Sequence, residues 1–180
     1  MNCSFYQVDV FTKIPFGGNP LAVVFDSEGL TDQNMQNIAR EMNLSETTFV
    51  LPPGNLPVDF LVRIFTPEKE LPFAGHPTLG TAHILRETGK VPSGEYQIKL
   101  AMKAGVINVT PKNNNNLLFM TQLLPEYQLP INYEEKISDV LGIPVSAINS
   151  SFHPMQIVST GLPVLIVPIV SLDELKKIRA

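Results

Sequence analysis

Two short stretches carry residue types that could move a proton and hold an anion. In LSETTFV (44–50) a single carboxylate, Glu46, stands at the head of an otherwise apolar, strand-forming run. A bare carboxylate is costly to bury, so it is paired, left at the surface or used in chemistry. In FAGHPTLGTAHILRETGK (73–90), Gly75-His76-Pro77-Thr78 opens a segment with no formal charge between His76 and Arg86. Proline suits the first turn of a helix, and glycine leaves room for a ligand to reach the backbone. The first N–H groups of a helix lack internal partners and sit at the positive end of its dipole, so such an end can hold a carboxylate or phosphate. Set beside it, the Ser45-Glu46 strand would supply a base for removing a proton next to an acid or carbonyl group. The residues alone leave alternatives open: Glu46 at a surface strand end, Thr78 closing the helix end, His76 as a satisfied core histidine. His83, two turns further along the helix, is expected to pack. The spacings of His76, His83 and His153 form no ligand set, so no metal is expected.

Those residues need a scaffold. FYQVDVFT (5–12) and LAVVFD (21–26) read as strands on either side of the turn IPFGGNP (14–20). LTDQNMQNIAREM (30–42) spaces Met35, Ile38 and Met42 at helical intervals behind Thr31, a suitable N-cap. TTFVLP and VDFLVRIFTP (58–67) return to strand character. A helix without a polar face over the 73–90 segment is expected to be enclosed on all sides, running through a β-rich domain and stopping at Gly89. Residues 95–123 read as three strands, with the asparagines at 113–116 in an exposed turn. YEEKISDVLGIP (133–144) reads as a short connecting helix ended by Gly142 and Pro144, and 148–161 leads back into strand.

GNPLAVVFDSEGLTDQNMQNIAR (18–40) and GLPVLIVPIVSLDELKKIR (161–179) each open Gly-x-Pro, run through a strand and pass into a short amphipathic helix. This order suggests two similar units in tandem, the second starting near residue 145, with chance likeness as the alternative.

Composition narrows the function classes. The chain has 180 residues, 44% hydrophobic and 17% charged, enough for a sizeable core. A net charge of −4, with no basic cluster, argues against nucleic acid and against an anionic membrane surface. No apolar run approaches the roughly 18 residues of a membrane span, and the N-terminus starts a strand, not a leader. The one cysteine, Cys3 in the first strand, forms no internal disulfide, which suits a reducing compartment; cytoplasm is the expected location.

PFGGNPLAVVFD, IAREMNLSETTFV and RIFTPEKELPFAGHPTLGTA, in that order within residues 5–90, resemble consecutive signatures of the PhzF-like phenazine-biosynthesis family, related in fold to diaminopimelate epimerase. Residues 156–180 resemble the start of that family's second half. The resemblance implies an α+β fold of two pseudo-symmetric lobes, each a β-barrel-like roll around a central helix, with the active site between them. On that pattern residues 1–125 are the first lobe, with its central helix near 77–88, and 126–180 are a connection and part of the second lobe. The resemblance also implies that Glu46 is the acid/base, that Gly75 and His76 hold substrate, that Asn19 and Ser45 line the cleft, and that no cofactor is used.

Two departures bear on activity. The family's Asp-Pro-Ala-Thr-Gly-Ser-like motif, which supplies an aspartate from the second half, has no counterpart here, and Cys3 is not beside the Gly75 helix as a two-thiol racemase requires. The expectation is a truncated isomerase, inactive alone, that transfers a proton on a small carboxylate-bearing molecule; the alternative is a non-catalytic binding module of the same family. The apolar stretch GLPVLIVPIV (161–170), left unpartnered by an incomplete second unit, leads us to expect a homodimer.

Overall fold

The computed structural model describes residues 2–94, 96–112 and 117–179. The chain divides into two compact units, Met1–Leu123 and Leu124–Ala180.

The first unit runs β1 (Phe5–Val10), β2 (Asn19–Val24), α1 (Asp32–Met42), β3 (Glu46–Leu51), β4 (Phe60–Phe65), β5 (Glu70–Leu71), α2 (Gly75–Glu87), β6 (Ile98–Met102), β7 (Gly105–Lys112) and β8 (Leu117–Thr121). Its strands form one sheet in the order β1-β2-β3-β4-β6-β7-β8, with β5 paired to β4. The β2–β3 and β4–β6 pairs are parallel, and the chain between them contains α1 and α2 respectively, as a parallel crossover requires. α2 packs against β1, β2, β3 and also β8, so the sheet curls around it until its two edge strands meet the same helix.

Side-chain alternation explains why this sheet takes a helix on each face. Along β3, Val50 joins the cluster packed on α2, while Phe49 joins a second cluster with Met35 and Ala39 of α1. The two-residue period therefore puts Glu46, Thr48 and Val50 on the α2 face. In β2 the same rule puts Asn19, Leu21 and Val23 on that face, and Val24 on the α1 face. Both strands are covered on both sides, which accounts for the nearly continuous apolar run from Leu21 to Phe25. The α1 boundaries follow from local chemistry: the Asn34 N–H donates to the Thr31 hydroxyl at 3.2 Å, and Asn43 ends the helix in the left-handed region at φ 51°.

α2 departs from expectation on one side. Most of its residues are buried, but His83 and Glu87 are exposed, so the helix is not enclosed all round and His83 does not pack into the core. Among the described residues β1 and β8 do not pair, and a cavity of about 540 Å3 lies in this seam, lined by Val8, Val10, Leu79, Gly80, His83 and Leu118 among others. Elsewhere the packing is close. A Cβ on Gly80 would come within 2.6 Å of Leu21 Cδ2 and 2.8 Å of Val10 Cγ2. β7 and β8 pair with Lys112 opposite Leu117; the Asn113–Asn116 run expected to form the turn lies outside the described residues.

The second unit contains β9 (Glu126–Tyr127), α3 (Glu134–Leu141), a 3-10 turn at Val145–Ala147, β10 (Gln156–Ser159), β11 (Pro163–Ile166) and α4 (Leu172–Leu175). Its strands form an antiparallel sheet in the order β11-β10-β9. Ile143, Ala147, Ile148 and Met155 make its small core, and α3 ends at Gly142 with φ 65°. β11 is not unpartnered as expected: it pairs with β10 along one edge, although Val164, Leu165 and Ile166 are exposed. The antiparallel β10–β11 pair followed by α4 matches the order of β1–β2 followed by α1, but α4 has four residues against eleven.

Candidate functional site

Three element beginnings come together in the first unit: Asn19 opens β2, Glu46 opens β3 and Gly75 opens α2. Because β2 and β3 are parallel, with Leu21 opposite Glu46, their N-terminal residues sit at the same end of the sheet. The loop before Asn19 is pinned by close approach, since a Cβ on Gly18 would lie 2.3 Å from the Val10 carbonyl oxygen. Only glycine lets the chain pass there and still deliver Asn19 onto the inner face.

The inner face explains the carboxylate in LSETTFV. Glu46 is neither a surface strand end nor fully enclosed: its side chain retains 17% exposure, and its Oε2 lies 3.4 Å from His76 Nε2. Both of these buried atoms lack a hydrogen-bond partner among the described residues. His76 is therefore not a fully satisfied core histidine. Its other ring nitrogen, Nδ1, lies 3.1 Å from Asn19 Nδ2, and the Ser45 hydroxyl donates to Asn19 Oδ1 at 3.1 Å. Burial pushes the His76 pKa below its usual 6.5, against the opposing pull of the Glu46 carboxylate and the Pro20 carbonyl, so the ring is neutral at pH 7.

The start of α2 carries no side-chain cap, and its N-cap is Ala74 in extended conformation. Thr78 does not close this end: its hydroxyl donates to the Ala74 carbonyl at 2.7 Å and leaves the first N–H groups alone. Gly75 is half-buried, and a Cβ there would stand 3.3 Å from the tip of Met120. The five residues anticipated here, Asn19, Ser45, Glu46, Gly75 and His76, thus share one neighbourhood.

Sequence reasoning missed the link that holds α2 against β3. The Thr48 and Thr81 hydroxyls lie 2.9 Å apart, both fully buried, and Thr48 also donates to the Ala22 carbonyl at 3.4 Å. The signal was present, because a two-residue period from Glu46 puts Thr48 on the α2 face. Cys3 lies before β1, not within it, and its thiol donates to the Asp26 carbonyl. Among the described residues no three His, Cys, Asp or Glu side chains gather as a metal site would.

A carboxylate and a neutral imidazole facing each other beside an uncapped helix start can exchange a proton with a substrate whose anionic group rests on the helix N–H groups. Comparison with known proteins identifies the family. The family model described as "Phenazine biosynthesis-like protein" matches residues 8–180. The chain is 39% identical over 174 residues to an uncharacterized isomerase of Mesorhizobium japonicum, covering 95% of this chain and 57% of that protein. It is 38% identical over 175 residues to the trans-2,3-dihydro-3-hydroxyanthranilate isomerase of Pseudomonas fluorescens, covering 96% and 59%. Among solved structures, a PhzF-family phenazine biosynthesis protein of Bacillus anthracis superposes with a TM-score of 0.82 at 32% identity, over 99% of this chain and 60% of that one. The chain thus spans somewhat over half the length of the relatives it matches.

Proposed function

The chain belongs to the phenazine biosynthesis-like (PhzC-PhzF) family, and from that premise we propose that its site isomerises a small carboxylate-bearing substrate, with Glu46 as the acid/base. The observation that carries this reading is the pair of facing, unpartnered atoms, Glu46 Oε2 and His76 Nε2, at the uncapped start of α2.

In this mechanism the substrate carboxylate rests on the free N–H groups at Gly75 and His76, where the helix dipole favours negative charge. Glu46 takes a proton from an adjacent carbon: the C–H bond breaks, its electron pair moves into the neighbouring unsaturated system, and the proton passes to a Glu46 oxygen. Return of that proton to a different carbon completes the isomerisation. No electrons are gained or lost overall, so the reaction calls for no redox cofactor. One carboxylate can make both transfers when the substrate stays in place. His76, neutral and next to Glu46, steadies the developing charge.

The Pseudomonas fluorescens relative is named for a substrate of this kind, an unsaturated hydroxy amino acid with a ring carboxylate. The test follows exchange of substrate hydrogen with deuterated water, using trans-2,3-dihydro-3-hydroxyanthranilate with the chain and with Glu46→Gln. A fall of about 10²–10⁴-fold in Glu46→Gln is expected for loss of a general base. Equal and measurable exchange by both would remove Glu46 from the reaction. Chemical-shift changes at the Gly75 and His76 amides without any exchange would favour the binding-module reading.

A further inference from the structure

Within the proposed function, Asn19 and Ser45 need not touch substrate to matter. We propose that Asn19, oriented by Ser45, is a positioning residue that holds His76 in the tautomer with its proton on Nε2, so that His76 offers a hydrogen-bond donor to the Glu46 side of the site.

A side-chain amide has one accepting and one donating end, and which way it faces is decided by its partners. The Ser45 hydroxyl donates to Asn19 Oδ1 at 3.1 Å, which leaves the Nδ2 donor facing His76 Nδ1 at 3.1 Å. A donor can be satisfied there only by a bare Nδ1. In a neutral ring the proton must then sit on Nε2, the atom 3.4 Å from Glu46 Oε2. The reverse arrangement, with Asn19 Oδ1 accepting from a protonated Nδ1, would set the Nε2 lone pair against a carboxylate oxygen. Both are buried and without other partners among the described residues, so that arrangement would leave two acceptors facing each other. The Pro20 carbonyl, also close to the ring, favours a ring proton as well and is the competing acceptor.

The consequence is a division of labour across strands. Asn19 of β2 and Ser45, just before β3, form a two-bond relay whose end product is a polarised N–H at the reacting position. Nε2–H faces the Glu46 carboxylate at 3.4 Å at rest and can bond to a substrate oxygen once Glu46 has taken its proton.

The tautomer can be read directly. In the full chain with 15N-labelled histidine, long-range proton–nitrogen correlation separates protonated from bare ring nitrogens, and His76 is assigned by its loss in His76→Gln. The expected result near neutral pH is a bare Nδ1 and a protonated Nε2. Asn19→Asp, which supplies only acceptors, should move the proton to Nδ1 or protonate both nitrogens. Ser45→Ala, a change at an exposed position that leaves the core intact, should give a mixture of tautomers. A protonated Nδ1 in the unmodified chain would overturn the proposal, as would an unchanged Nε2–H ring in folded Asn19→Asp and Ser45→Ala. This readout does not depend on turnover. It can therefore fail while Glu46→Gln still abolishes exchange, and it can succeed where the proposed reaction does not occur.

Discussion

Glu46 and His76 face each other across 3.4 Å, and burial acts on them through the imidazole. Because the folded state holds the His76 pKa below 6.5, the unfolded chain takes up a proton first as pH falls. The sign follows: this contribution to stability is full above the unfolded value of about 6.5, begins to fall below it and is lost as pH drops through the lower folded value. Urea midpoints should therefore fall as pH drops below about 6.5, and that part of the slope should vanish in His76→Gln. An identical slope in the variant would mean that His76 is not desolvated by the fold. Much of this was legible in LSETTFV and FAGHPT, since a carboxylate in an apolar strand and a glycine-histidine-proline helix start are both conspicuous. What those strings do not contain is the Asn19 bond to His76, which joins residues 57 positions apart in the chain.

At the scale of elements, the site depends on how closely α2 lies in the curl of the sheet. Gly80 sets that distance, because a methyl group there would meet the buried side chains of Leu21 and Val10 at 2.6 and 2.8 Å. Gly80→Ala should cost about 1–3 kcal/mol in urea unfolding through overpacking, despite alanine's better helix propensity. It should also shift the His76 ring resonances, since the start of α2 moves with the helix. A stabilised variant would show that β1 and β2 can give way. Element boundaries were readable because periodicity and caps are local: Thr31 starts α1, and alternation sets which side of β3 meets each helix. The exposed side of α2 was not readable. An uncharged helix signals burial, but whether the strands close around it depends on β1 and β8, which are separated by more than a hundred residues and leave a seam beside His83.

For the whole molecule, the two units are bounded at Leu123 and Leu124, and no helix among the described residues is long and apolar enough to cross a membrane. β11 presents Val164, Leu165 and Ile166 to solvent, and its outer edge has no partner among the described residues. Such an edge invites pairing with another copy, so light scattering on the chain should show self-association that Val164→Lys weakens. A monomer at working concentration would count against it. The sequence by itself determined which residues could do chemistry and which segments would be strands or helices, because residue type, caps and hydrophobic period act within a few positions of each other. It also carried the family likeness, since the matching motifs stand in order along the chain. Only the tertiary structure decided that Glu46 meets His76, that Thr78 leaves the helix end uncapped, that Asn19 and Ser45 turn toward the imidazole, and that the sheet stays open at one seam. Those outcomes depend on strand order and register, which place distant residues side by side through contacts that no local pattern encodes.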